Sequence, residues 1–250
     1  MTLLGKKIPI FISLLIWFVL WELIGRARFS ILIPPFSSVV AAGMTIVPTE
    51  KFAKAAAISL RSFAMGMFLA LAIGIPLGVL MARVASLGKV LAMWVNIFVS
   101  APISALVPIL MAVIGIGETT VVITVFLFAV FVIALDTEVG VAKANRSLVE
   151  MARCFGARRD QIYTKVLLLS ALPEILAGVR LGMIRGVKGV VIGQLLIAIV
   201  GVGELFELYS QHFLMEEFWA LVTIVFIFAF AVSEVIAFLE RRIEYYASAR

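Results

Sequence analysis

The chain has 250 residues and a formal charge of +6, with 64% hydrophobic residues and only 14% charged ones. Soluble domains run nearer about 45–50% apolar and about 25% charged, so a mean hydropathy of +1.18 excludes one large soluble core. The apolar residues fall in long blocks without the alternation of a lipid-facing strand, which excludes a membrane barrel and leaves an all-α polytopic membrane protein.

A hydrocarbon core of roughly 30 Å takes about 20 apolar residues as a helix. Six spans are predicted, at about 8–24, 59–82, 90–114, 119–135, 174–200 and 218–239. Lys6 and Lys7 precede the first, as in a signal peptide, but no small-x-small cleavage site follows. Trp17 and Trp21 suit an interfacial belt, so a retained helix is expected. Pro34-Pro35 interrupts the link that follows, and 36–58 reads as a short surface helix. In span two, Gly74 and Gly78 lie on one helix face and permit close approach of a neighbour, while Pro76 predicts a kink. Span three is broken by Pro102 and Pro108 and carries Ser100 and Ser104. Interrupted helices with hydroxyls line pathways in transporters; ordinary kinked packing is the other reading, and both stand. Gly115-Ile116-Gly117-Glu118 predicts a tight turn into span four.

The polar segment 136–173 reads as two short helices, about 137–155 and 158–169, with Gly156 at the bend and Asp160 in the first turn of the second. Pro173 then opens span five, where its missing N–H does no harm. Along span five, Gly178, Gly182, Gly186, Gly189 and Gly193 form one stripe at about 100° per residue. That stripe should press against another helix. Arg185 and Lys188 share the span, each costing about 2.5–3.5 kcal/mol at mid-membrane. They face a wet pathway, pair with a carboxylate such as Glu234, or snorkel. Arg180 lies near the end of the loop and suits head groups.

Basic residues set the topology. Lys6, Lys7, Arg83, Lys89, Lys143, Arg146, Arg153, Arg158, Arg159, Lys165, Arg241, Arg242 and Arg250 fall on one side of the six spans, and fewer fall on the other. Both termini and the 136–173 loop are therefore expected in the cytoplasm. The outer 201–217 segment is acidic, with Glu204, Glu207, Glu216 and Glu217. The positive charge thus reflects topology and does not call for nucleic acid. A single cysteine, Cys154, precludes an internal disulfide, and a single histidine, His212, precludes a histidine metal cluster. No phosphate-binding loop is present, since Gly88-Lys89 is followed by Val90 and lacks the upstream glycine. No Ser/His/Asp set appears either, so no catalytic residues and no cofactor are expected on this chain. Any nucleotide energy must come from another chain.

Glu150-Met151-Ala152, then Gly156, then the run to Leu172-Pro173 resembles the cytoplasmic E-A-A, G and I-x-L-P signature of ABC importer permeases. The match is closest to the nitrate/sulfonate/taurine-type subfamily. Ser59-Leu60-Arg61, the glycine–proline run at 74–78, 102–108, 115–118, 178–182 and 201–205 extend the resemblance over about 54–240. Departures are Met151 for the usual Ala, Leu169 where a first proline is common, and Gln194 where Glu is frequent. The resemblance implies a type I ABC importer permease fold divided as 1–53, an N-terminal helix with its external segment, 54–240, the permease domain, and 241–250, a cytoplasmic tail. It implies a multi-pass protein of the cell (inner) membrane, working as a homodimer with two copies of an ATPase that hold ATP and Mg. An extracytoplasmic binding protein would deliver the solute. Glu150, Met151, Ala152, Arg153, Gly156, Arg158 and Arg159 become coupling-helix residues docked on the ATPase, although the arginines also suit positive-inside anchors. Ser100, Ser104, Arg185, Lys188 and Gln194 become candidates for the translocation path. The two buried cations favour an anionic solute; a neutral or cationic heterocycle such as a vitamin precursor is the alternative. A membrane enzyme or a channel is the different class, disfavoured because no polar residues cluster at one depth.

Overall fold

A computed structural model describes residues 2, 3, 6, 7, 10–28, 30–143 and 146–248. A minimal ribbon pairs β1 (Thr2–Leu3) with β2 (Lys6–Lys7). Helices follow: α1 (Ile10–Arg26), α2 (Phe36–Ile46), α3 (Glu50–Arg83), α4 (Ala85–Ser100), α5 (Val107–Ile114) and α6 (Glu118–Ala142). Then come α7 (Arg146–Cys154), α8 (Arg159–Ser170), α9 (Leu172–Ile197), α10 (Val202–Gln211) and α11 (Met215–Ser248). Helix dominates because lipid offers the backbone no hydrogen-bond partner.

The expected spans correspond to α1, α3, α4 with α5, α6, α9 and α11. The helices α3 and α6 and the part of α11 up to Phe238 are each long and apolar enough to cross a membrane alone. The α4–α5 pair bends by 87° at the Pro102 break, and α8–α9 bends by 62°. The helix α1 is described over 17 residues; the first two residues of its expected span, 8 and 9, and the tail residues 249 and 250 lie outside the described residues.

Three boundaries differ from expectation. The expected surface helix at 36–58 ends at Ile46, and α3 starts already at Glu50. Thr49 caps it there, its Oγ1 accepting the Phe52 N–H at 3.2 Å. At the other junction, residues 137–142 belong to α6 and not to the loop helix. Thr137, Gly140 and Val141 are buried, so packing carries α6 past the charges of Asp136 and Glu138 that mark an exit in sequence. Pro173 is the second residue of α9, after Leu172.

Glycines set the packing. A Cβ on Gly66 would lie 2.6 Å from Val125 Cβ, and one on Gly74 would lie 3.1 Å from Ile133 Cγ2. The register rises along both helices, so α3 and α6 run parallel. The five-glycine stripe of α9 meets the opposite side of α6. A Cβ on Gly193 would lie 3.4 Å from Thr124, one on Gly182 2.6 Å from Ile133 Cγ1, and one on Gly178 2.6 Å from Asp136 Cβ. Here the register falls, so α9 is antiparallel to α6. Thus α6 is the central helix, with Val125, Ala129 and Ile133 fully enclosed between the two glycine faces. The ends of α3 and α6 and the start of α9 share one side, which carries α7 and α8. The opposite side carries α2, α10, the end of α1 and the start of α11, packed through Val39, Ile46, Leu205 and Leu221.

Candidate functional site

The helix α7 ends on a glycine that the backbone requires. Gly156 has φ +75, its N–H bonds the Arg153 carbonyl at 2.9 Å, and the Ala157 N–H bonds the Ala152 carbonyl at 3.0 Å. This pair of bonds is the Schellman motif. Nothing lies within 4 Å of a Cβ built at Gly156, so the glycine supplies conformation, not clearance. The Arg158 N–H then donates to Gln161 Oε1 at 2.9 Å and opens α8. The segment is anchored from α8 onward. Ile162 is buried, and Leu168 packs with Val141, Ala171 and Ile175, which joins α8 to the ends of α6 and α9.

One face of α7 is left largely uncovered among the described residues. Leu148, Met151, Ala152 and Phe155 follow i, i+3, i+4, i+7 spacing and share that face. Leu148 is 38%, Met151 52% and Phe155 85% exposed. Glu150 and Arg153 lie on the opposite side, exposed, as are Arg158 and Arg159. Among the described residues Glu150 forms no ion pair. Met151 and Ala152 stand at letters of the signature, whereas Leu148 and Phe155 do not, although a phenylalanine in a polar segment is itself a signal of a buried contact.

The second region is the exposed face of α9. Ala177, Leu181, Lys188 and Leu195 are exposed and form a stripe about 120° round from the glycines. Arg185 is half-buried between the two stripes. Among the described residues neither Arg185 nor Lys188 has a carboxylate within ion-pairing distance. The acid electrostatically coupled to Arg185 is Asp136 of α6, not Glu234, which is exposed on α11. Ser100 is exposed at the end of α4, and Ser104 is half-buried in the turn at Ile103–Leu106 that leads into α5.

Gln194 sits apart from both. It is 1% exposed and joins three elements on the side away from α7. Its backbone carbonyl accepts the Ala198 N–H at 2.8 Å, where the chain turns at φ +60. The Ser59 hydroxyl of α3 lies 2.8 Å from Gln194 Oε1 and 3.0 Å from the Ala55 carbonyl, and its single proton serves one at a time. Ser59 Oγ also accepts the Val202 N–H at 3.0 Å. Nearby, Arg61 Nε donates to Glu118 Oε1 at 2.7 Å, and a second guanidinium nitrogen contacts Oε2. Among the described residues no cluster of His, Cys, Asp and Glu is assembled for a metal.

Residues 74–245 match the family described as binding-protein-dependent transport system inner membrane component. A taurine transport system permease protein of Escherichia coli K12 is 27% identical over 216 residues, covering 84% of this chain and 78% of that protein. A probable ABC transporter permease of Brucella melitensis biotype 1 is 31% identical over 167 residues, 66% of this chain and 68% of that protein. A glycine betaine/carnitine/choline transport system permease of Bacillus subtilis is 31% identical over 140 residues, 56% of this chain and 59% of that protein. In structure the chain is similar to the inward-facing MetNI methionine ABC transporter, with TM-score 0.67 at 22% identity, covering 77% of this chain and 96% of that one.

Proposed function

Because this chain belongs to the family of binding-protein-dependent transport system inner membrane components, we propose that it is the permease of an ATP-driven importer that passes a small anionic solute by alternating access. Its family and its fold are those of ABC importer permeases of the inner membrane. The rest of the assembly follows as our reading: two copies of this chain, two copies of an ATPase holding ATP and Mg, and a binding protein on the far side. Both termini and α7 then lie in the cytoplasm.

The observation that carries the coupling role is the unpartnered face of α7. An amphipathic helix that offers anchors at i, i+3 and i+7 suits a groove on a soluble protein. The Schellman turn and the anchored α8 tie this helix to the ends of α6 and α9. A displacement of α7 therefore reaches the two helices at the centre of the bundle. Phe155 and Met151 supply the buried contact, and Glu150, Arg153, Arg158 and Arg159 supply the polar rim.

The anionic solute rests on Lys188, a cation exposed within an apolar span and without a carboxylate partner among the described residues. A face of this kind is tolerated where it lines water or a second copy of the chain. We assign Arg185, Lys188, Ser100 and Ser104 to the path and Gln194 to the joint between α3, α9 and α10. The relative named for taurine transport favours this reading. The relative named for glycine betaine, carnitine and choline, together with Asp136, whose charge acts on Arg185, supports a neutral or cationic solute as the second reading.

The coupling role is tested by changing Leu148, Met151 and Phe155 together to Ser. The variant should reach the membrane in normal amount yet lose copurifying ATPase. Full retention of ATPase and of transport would overturn the docking face.

A further inference from the structure

On the side away from α7, the first and last helices form a groove that lies apart from the residues assigned to the path. It has a volume of about 670 Å³ and lies between α1 and α11, lined by Trp17, Trp21, Trp219, Phe226 and Phe230. Its wall is almost wholly apolar. It runs on into a polar mouth of about 830 Å³, and Ile33 lines both. Arg26, Arg28, Glu216 and Glu217 line the mouth.

Two indoles mark the level at which one becomes the other. Trp21 Nε1 donates to the Pro34 carbonyl at 3.1 Å and Trp219 Nε1 to the Leu32 carbonyl at 2.8 Å, while both rings wall the groove. A ring in apolar surroundings with its N–H toward polar backbone is the arrangement of an aromatic belt at the head-group boundary. Below it lies acyl-chain depth; above it lies head-group depth.

The mouth carries both signs of charge. Arg26 is engaged by Glu22 at 2.6 Å. Arg28, Glu216 and Glu217 form no ion pair among the described residues. Arg28 and Phe213, both lining the mouth, have φ +52 and +55, and are two of the three described non-glycine residues with positive φ. Backbone of this kind persists where surroundings or function hold it.

We infer that groove and mouth together hold one zwitterionic aminophospholipid. An acyl chain lies between α1 and α11, the phosphate meets Arg28, and the ammonium meets Glu216 and Glu217. Two carboxylates at the mouth oppose a purely anionic head group. A quaternary ammonium carries no N–H to donate to them, so a primary amine is preferred. The lipid would wedge α1, which is exposed along most of its length, against α11.

Three of the four tryptophans, at 17, 21 and 219, line the groove, so quenching by brominated chains reads its occupancy in a Trp94→Phe background. The purified full chain is placed in phosphatidylcholine vesicles carrying equal minor fractions of brominated phosphatidylethanolamine, phosphatidylglycerol or phosphatidylcholine. Brominated phosphatidylethanolamine should bind roughly threefold more tightly than the other two, as one exposed charge contact allows. Arg28→Ala should weaken quenching by all three lipids, since each carries the phosphate, and Glu216→Lys with Glu217→Lys should transfer the preference to phosphatidylglycerol. Equal quenching by the three lipids, or preference of the Trp94→Phe chain for phosphatidylglycerol, overturns the assignment, and neither result depends on a change at the mouth. Arg28→Ala that leaves quenching intact but lowers ATP hydrolysis stimulated by the binding protein would mark the mouth as a protein contact and also overturn it.

Discussion

Arg61 and Glu118, 57 residues apart, form a two-pronged ion pair that ties α3 to the first turn of α6. Ser62 Oγ lies 3.3 Å from Glu118 Oε1 and shares its one proton between it and the Ile58 carbonyl at 2.9 Å, and the carboxylate also stands at the positive end of the α6 dipole. Glu118 therefore has three sources of stabilisation and Arg61 has one. Glu118→Ala should lower the melting temperature in detergent more than Arg61→Ala does. The double variant should melt no lower than Glu118→Ala alone. Strict additivity of the two shifts would show that the pair is not coupled.

Gly156 is required for its backbone and not for space. A Cβ there meets nothing within 4 Å, yet φ is +75. Gly156→Ala should cost about 1–2 kcal/mol of the turn, the usual penalty for a side chain in the left-handed region. Gly156→Asn should cost less, because asparagine tolerates that region. Since α7 packs chiefly on α8 among the described residues, global melting should barely move, while ATPase copurification falls in the order Gly, Asn, Ala. Equal copurification of all three would remove the turn from the coupling role.

The α9 glycines behave oppositely. A Cβ at Gly182 would lie 2.6 Å from Ile133 Cγ1, inside the fully buried core. Gly182→Ala should destabilise by about 1–3 kcal/mol, as overpacking does, and Ile133→Val should recover part of the loss. Gly43 in α2 gives the contrast, because a Cβ there would lie 3.8 Å from Ala220 Cβ, an ordinary contact. Gly43→Ala should stabilise by about 0.5–1 kcal/mol through helix propensity alone. Thermal melts of the two variants should shift in opposite directions.

Much of this architecture is legible in the residues because lipid simplifies the code. Apolar block length gives the spans, Pro102 gives the α4–α5 break, and the four-residue glycine spacing foretells the face α9 turns to a neighbour. What escapes is whatever depends on a partner distant in sequence. Asp136 and Glu138 signal the end of a span, and only the burial of Thr137 against Gly78 of α3, and of Gly140 and Val141 against the start of α9, shows that α6 continues. Gln194 looks like a polar residue exposed to a pathway until Ser59, 135 residues away, is found beside it. The α7 face escapes for another reason. The spacing of Leu148, Met151 and Phe155 is already present in the expected helix at 137–155, but only the structure shows that the bundle leaves that face exposed.

Lys188 separates the two solute readings. It is exposed within α9, whereas Arg185 is half-buried and coupled to Asp136. Of the two cations, Lys188 is therefore the one free to meet an anion. Loss of a hydrogen bond to a charged group costs about 1.5–3 kcal/mol, so Lys188→Gln should raise KM for the transported anion roughly tenfold or more, with ATPase copurification unchanged. Lys188→Arg should retain most of the affinity, as the charge remains. Arg185→Gln breaks no ion pair among the described residues and should lower uptake less than Lys188→Gln does. Uptake in reconstituted vesicles, measured across sulfonates, nitrate, carboxylates and quaternary amines, distinguishes these outcomes. If Lys188→Gln leaves anion uptake intact, Lys188 is not the anion contact; if only quaternary amines are carried and the variant carries them better, the cation on α9 acts against the solute and the second reading replaces the first.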